Sequence, residues 1–186
     1  YKDVKERSAI ARFKVKGTEN EYFLAWTTTP WTLPSNVALC VNPNEKYVKI
    51  KNGEYVYILA EALIPAVIQG EYETLEEYTG KDLEYKEYEP LFQCQKAPCE
   101  KQGKKGHYVT CDSYVTMSDG TGIVHIAPAY GAEDFWAAKN IDQNFPVLLN
   151  VDTYGNFDNT VVDFAGENIF VATPKIMDWL KTNGRL

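Results

Sequence analysis

Histidine and methionine are scarce in this chain, two of each in 186 residues, and the common catalytic signatures are missing. It holds no Gly-x-Ser-x-Gly elbow, no glycine-rich phosphate loop and no dinucleotide fingerprint. Nothing therefore points to an acyl-enzyme serine, a bound nucleoside triphosphate or a nicotinamide cofactor. No apolar run approaches the roughly 18 residues that a membrane-spanning helix needs. The N-terminus, Tyr1-Lys2-Asp3-Val4-Lys5-Glu6-Arg7, is charged and lacks the apolar stretch of a secretory signal, so a cytoplasmic location with no membrane partner is expected. The chain starts without Met and is expected to be a piece of something larger.

Basic charge is also short. Lys and Arg number 19 against 26 Asp and Glu, a net charge of -7. That balance argues against a surface that grips nucleic acid by general phosphate attraction. The one basic cluster, Lys96, Lys101, Lys104, Lys105 and His107, falls in a Gly-containing stretch that reads as a solvated loop. Four cysteines could make two disulfides, but a chain with an adequate core has little need of them, and reduced thiols are expected. Cys94, Cys99, His107 and Cys111 offer four soft ligands within one loop. Their spacing suits a structural zinc site poorly and Pro98 constrains the turn, so no metal is expected.

What the chain does have is enough apolar residue, 45%, for one well-buried core, and a succession of short strands. Ala9, Ala11, Phe13 and Val15 alternate with polar residues, and a Gly17 turn leads into a second strand over 21–28. Further strands are predicted over 37–41, 47–50 and 55–59, the last two flanking Asn52-Gly53, a strong hairpin signal. Strands over 108–116 and 122–126 are joined through Asp119-Gly120, which puts His125 near a strand end. The whole reads mainly as a β-meander. Helices are expected over 61–68, broken by Pro65, over 132–140, and over 174–183 with Thr173 as N-cap and Gly184 as stop. No repeat, low-complexity tract or linker divides the chain, and residues 1–186 are taken as a single domain.

Two runs stand out. Trp26-Thr27-Thr28-Thr29-Pro30-Trp31-Thr32-Leu33-Pro34-Ser35-Asn36 packs four threonines between prolines and tryptophans, on a backbone unsuited to ordinary helix or central strand. Gly120-Thr121-Gly122-Ile123-Val124-His125-Ile126-Ala127-Pro128 is the second, followed by a turn into the acidic pair Glu133 and Asp134. Together they read as two walls of one small-molecule pocket. Each residue taken singly has a plainer reading: a β-branched strand, a helix-dipole partner, a satisfied polar histidine. The residues alone support a β-rich domain with one polar, threonine-lined pocket.

Thr27-Thr28-Thr29-Pro30-Trp31-Thr32 and Gly122-Ile123-Val124-His125 resemble the two motifs of the editing domain inserted in class I aminoacyl-tRNA synthetases, in the isoleucyl pattern. The valyl and leucyl versions carry Thr-Thr-Arg-Pro in the first motif and lysine or methionine in place of the histidine. Similarity extends through Tyr1-Lys2-Asp3-Val4, Asn36-Val37-Ala38-Leu39-Cys40-Val41-Asn42-Pro43, Tyr88-Glu89-Pro90-Leu91-Phe92 and Gly131-Ala132-Glu133-Asp134-Phe135, which resemble the cytosolic eukaryotic branch. Residues 93–107 depart from the pattern and look like a surface insertion.

The resemblance implies an α+β, mainly β fold, a β-barrel core with peripheral helices. It implies hydrolysis of mischarged valyl-tRNA(Ile), with Ile-tRNA(Ile) excluded by size. The synthetic-site signatures are absent, so ATP and Mg would belong elsewhere in the parent, and this domain needs no cofactor. Implied partners are the 3′ end of tRNA(Ile), valine and valyl-adenosine-like ligands, and the rest of the synthetase. Asp134 is implied as the anchor of the substrate ammonium. Thr27, Thr28 and Thr29 line the pocket beside Trp31, with Thr29 and His125 against the amino-acid side chain. Asn36 supports the adenosine or the loop. Thr28, Thr29, His125 and Asp134 are the implied catalytic set, with the proton acceptor left open between His125 and a substrate hydroxyl. A catalytically silent tRNA- or protein-interaction module with the same fold, and a sieve for other esters, remain as alternatives.

Overall fold

The computed structural model describes residues 8–131 and 146–186. Among them, eight strands form one sheet: β1 (Ala9–Lys14), β2 (Glu21–Thr27), β3 (Ala38–Val41), β4 (Lys46–Asn52), β5 (Tyr55–Ala60), β6 (Glu73–Thr79), β7 (Tyr108–Cys111) and β8 (Ile123–Ile126). The sheet order is β6-β4-β5-β2-β8-β3-β7, with β1 paired to β2 off this path. β1 alternates buried and half-buried residues as its period-two pattern requires, and pairs antiparallel with β2 from Ala9↔Thr27 to Lys14↔Tyr22. The other edge of β2 is shared: β5 pairs in parallel with Glu21 to Phe23, and β8 in parallel at Trp26. Two partners diverging from one edge curl the sheet into a half-barrel.

This is not a simple meander. β2/β5, β2/β8 and β3/β7 are parallel pairs. The strands predicted over 108–116 and 122–126 are not neighbours either, because β3 lies between β7 and β8 and pairs with both. β7 ends at Cys111, where the Asp112 carboxylate accepts from the Tyr114 N–H at 3.1 Å and turns the chain out of the sheet. The Asn52-Gly53 hairpin is present as predicted, with Asn52 opposite Tyr55 and Gly53 at φ 64°. β6 has no counterpart in the sequence reading. It is exposed along most of its length and held to β4 by Lys49–Glu76 and Lys46–Glu77 ion pairs at 3.3 and 3.1 Å.

The helices are short except the last. Residues 61–68 form a 3-10 turn (Glu61–Leu63) and α1 (Ile64–Val67), and Pro65 starts the helix instead of breaking it. α2 (Gly80–Leu83) has a Thr79/Asp82 capping box. α3 (Lys96–Lys101) replaces the loop expected there. α4 (Ile169–Thr182) begins before the predicted Pro174, because Asn168 caps it by accepting from Phe170 N–H at 3.1 Å. Gly184, at φ 66°, ends it with Gly184 N–H to Lys181 O and Arg185 N–H to Leu180 O. The helix predicted over 132–140 lies outside the described residues.

The main core gathers Phe13, Phe23, Leu39, Tyr47, Ile58 and Ile123 from the sheet with Ala172, Ile176 and Leu180 of α4. α4 also packs against the 3-10 helix Pro30–Ser35, which contains Thr32 and directly follows Thr27, Thr28 and Thr29.

Candidate functional site

The first motif splits by local chemistry. Thr27 is the last residue of β2, and the Thr29 N–H turns back to donate to Thr27 Oγ1 at 3.1 Å. Pro30 then opens the 3-10 helix and Pro34 sits inside it. Proline lacks the donor that an α-helix needs, so the chain settles for the tighter ladder, with Thr32 N–H to Thr29 O at 2.9 Å and Asn36 N–H to Leu33 O at 3.0 Å. Thr27 and Thr32 are buried, Thr29 is half-buried and Thr28 is exposed. Trp31, half-buried, meets the edge of Tyr130 at 5.2 Å.

The second motif is built for close packing. Gly122 has φ 76°, and a Cβ there would collide with the Ala60 side chain. Its carbonyl accepts from the buried Tyr47 hydroxyl at 2.6 Å. β8 thus starts at a fixed height, and its register against β3, Leu39↔His125, brings His125 under the threonine loop.

Beneath the loop the polar groups form one directed chain. The Thr32 hydroxyl donates to Thr29 O at 2.8 Å, so towards His125 Nε2, 2.9 Å away, it can only accept. Asn36 Nδ2 donates to Ala38 O at 2.9 Å and faces His125 Nδ1 at 3.4 Å, while Asn36 Oδ1 accepts from the Tyr88 hydroxyl at 2.6 Å. Both ends require the same imidazole: neutral, with the proton on Nε2. Burial holds His125 at about 4, well below the ordinary histidine range, and pushes the Tyr88 hydroxyl well above its own. Beyond Thr32 the row continues to Thr29 Oγ1 at 3.4 Å and from there to Thr27 Oγ1 at 3.5 Å.

The structure brings Thr27, Thr29, Thr32, Asn36 and His125 together. Asn36 is fully buried, so its side chain serves the loop. His125 has both ring nitrogens engaged inside the protein, which suits it to a rigid wall and donor. To act as a base it would first have to surrender its bonds. Asp134 lies outside the described residues. Among the described residues no cluster of His, Cys, Asp and Glu could hold a metal ion. His107 is no member of an exposed basic cluster: it is buried, held at about 4 by burial, and bonded through Nε2 to Asn36 O at 3.1 Å. Burial pushes Cys40 and Cys99 up to about 11 and Cys111 up to about 12, so these thiols stay protonated and unreactive.

Curated relatives match this chain end to end. It is 49% identical over 187 residues to the isoleucine–tRNA ligase of Clostridium novyi (strain NT), and 50% identical over 187 residues to that of Clostridium acetobutylicum. It is 41% identical over 186 residues to the same enzyme of Bacillus thuringiensis (strain Al Hakam). In each case the whole chain is covered, and it spans 17% of the relative's length. No family model matches. Among solved structures, GlLeuRS-CP1 superposes with TM-score 0.73 over 96% of this chain and 97% of that one, at 14% identity. The P. knowlesi cytosolic leucyl-tRNA synthetase editing domain gives 0.67 over 96% and 95%, also at 14%. The sequence match supplies the isoleucyl relationship and the superpositions the fold. Along its whole length the chain is similar to one segment of the isoleucine–tRNA ligases. The three organisms are bacteria, so the likeness to the cytosolic eukaryotic branch is one of sequence and says nothing of source.

The sequence reading missed the residues that hold the loop from behind. The Gln95 amide donates to Leu33 O at 2.7 Å, and the Asn150 amide to Pro34 O at 3.1 Å and Ser35 Oγ at 3.2 Å. Tyr130 braces the same region, accepting from Asn150 and Val151 N–H at 2.8 and 2.9 Å. The clue available was indirect: a helix C-terminus leaves carbonyls that outside donors must satisfy.

Proposed function

We propose that this domain hydrolyses the ester bond of valyl-tRNA(Ile) and spares Ile-tRNA(Ile) by size. The observation that carries the proposal is the threonine loop seated on a neutral, doubly bonded His125. A wall so held cannot retreat to make room for an added methylene. Such a wall is needed, because burying the extra carbon of isoleucine would otherwise favour it by about 0.8 kcal/mol. The synthetic site of isoleucyl enzymes separates isoleucine from valine by only about 150-fold, a magnitude already established for this enzyme family, and a second sieve must supply the rest.

The substrate supplies much of the chemistry. An aminoacyl ester beside a vicinal ribose hydroxyl needs its α-ammonium held, a water aimed at the carbonyl and the oxyanion stabilised; it needs no protein nucleophile. Asp134 binds the ammonium by a charge-assisted hydrogen bond. Exposed Thr28 and half-buried Thr29 face the ester, with Trp31 at the flank. The attacking water passes its proton through the vicinal ribose hydroxyl to the ester oxygen, which leaves as a sugar hydroxyl, since both ring nitrogens of His125 are already engaged. No cofactor takes part. The partners are the 3′ end of tRNA(Ile) and the rest of the synthetase, working in the cytoplasm.

The test is deacylation of Val-tRNA(Ile), Ile-tRNA(Ile) and Thr-tRNA(Val) by this chain and by its parent synthetase. Rapid loss of the first ester alone is the expected result. Hydrolysis of none of them by the parent would leave a silent binding module, and preference for the third a sieve of different specificity.

A further inference from the structure

The threonine loop is gripped on one side by a single stretch of chain, residues 88–107. Tyr88, buried, donates its hydroxyl to Asn36 Oδ1 at 2.6 Å. Gln95, buried, donates from Nε2 to Leu33 O at 2.7 Å and is itself aimed by the Phe92 N–H, which donates to its Oε1 at 3.3 Å. His107 donates from Nε2 to Asn36 O at 3.1 Å and from its backbone N–H to Val37 O at 2.6 Å. Apart from the Phe92 bond, these fall on residues 33–37, where the 3-10 helix ends and hands over to β3.

That is where outside donors matter most. A 3-10 helix has poor internal hydrogen bonds, and this one contains Pro34. Its last carbonyls are buried acceptors that need partners. Asn36 then passes the restraint on, because the amide that Tyr88 orients is the one facing His125 Nδ1. A sieve that tells valine from isoleucine must hold its wall to a fraction of a methylene.

We propose that residues 88–107 are a positioning strap for the sieve, in which Gln95 and Tyr88 set the height of Thr29 and His125 without touching the reacting ester. This rests on the reading of the loop as a size-selecting hydrolytic pocket. The strap includes residues 93–107, the stretch that departs from the isoleucyl sequence pattern.

The variants are Gln95→Met and Tyr88→Phe, each keeping size and removing the donor. Two readouts are needed: the Val-tRNA(Ile) to Ile-tRNA(Ile) deacylation ratio in the parent synthetase, and NMR of the imidazole nitrogens in this chain, whose two histidines are easily told apart. Each variant is expected to lower the ratio about tenfold, the worth of one hydrogen bond of about 1.4 kcal/mol, and Tyr88→Phe to move the His125 Nδ1 signal. Variants that melt earlier yet keep both the ratio and the His125 signal would overturn the proposal, leaving Tyr88 and Gln95 as mere packing. Should neither variant fold, the wild-type spectrum still decides: a proton on His125 Nδ1 excludes donation from Asn36 and sinks the strap. If the signal moves while the wild-type parent hydrolyses neither ester, the strap stands and the functional reading falls.

Discussion

His125 and Thr32, 93 residues apart in sequence, meet at 2.9 Å in the buried floor of the threonine loop. Because the Thr32 hydroxyl spends its one proton on Thr29 O, it accepts from the imidazole, and removing it orphans a buried N–H. Thr32→Val keeps the shape and deletes the oxygen. It is expected to cost about 1–3 kcal/mol of stability, whereas Thr28→Ala, at an exposed position, should stay within about 0.5 kcal/mol. Urea denaturation of the two variants compares them directly, and equal stabilities would mean that the Thr32–His125 bond contributes nothing.

Acid should unfold the domain earlier than its carboxylates alone would dictate. His107 and His125 bind a proton near pH 6.5 when unfolded but only at about 4 when folded, both because burial disfavours the cation. Between those values the unfolded chain holds more protons, so stability is complete above about pH 6.5 and drains away as pH falls toward 4. With both histidines the slope should reach about 2–3 kcal/mol per pH unit near pH 5. Glu84, held low by the Lys81 ammonium, and Asp152, held low by the Asn156 N–H, add to the loss only at more acid pH. Denaturation midpoints that do not move between pH 7 and 5 would contradict the neutral, buried histidines.

Gly122 gives a prediction about the second motif that has nothing to do with chemistry. A methyl group there runs into Ala60 Cβ, on a backbone at φ 76°. Gly122→Ala should cost about 2 kcal/mol or more and shift β8 together with His125, while Gly17→Ala, also at positive φ but in open space, should cost only about 1 kcal/mol. Thermal melts of the pair are the check, and a Gly122 variant as stable as the Gly17 variant would show that the turn tolerates a side chain.

Much of this was legible in the chain itself, and the failures have physical reasons. β1 announced itself by alternation, the β4/β5 hairpin by Asn52-Gly53, and the threonine loop by its prolines. β6 did not, since its apolar alternation is absent and it is an exposed strand joined to β4 by the backbone ladder and by lysine–glutamate pairs between distant residues. α4 was read short because Pro174 looks like a first-turn proline, yet the stronger signal was the Asn168 cap before it. The meander reading failed on connectivity: β7 and β8 have a turn between them, but β3 is the partner each one finds. In the site, residue types were readable and their roles less so. His125 stands out as one of two histidines, but that Asn36 and Thr32 fix its proton is a fact of three-dimensional register. Gln95 carries no sequence signal at all, because its importance lies in a carbonyl 62 residues away.

The central claim is that His125 backs a rigid wall against isoleucine, and one ratio tests it most directly. His125→Ala in the parent synthetase removes the ring behind Thr32 and Thr29 and leaves the Thr28 and Thr29 side chains in place. The measurement is the rate of Ile-tRNA(Ile) deacylation relative to Val-tRNA(Ile), for wild type and variant side by side. The account predicts that the variant gains hydrolysis of the correct isoleucyl product while keeping at least part of its activity on the valyl ester. Loss of valyl hydrolysis with no gain on the isoleucyl ester would contradict it, and would make His125 a catalytic or orienting group.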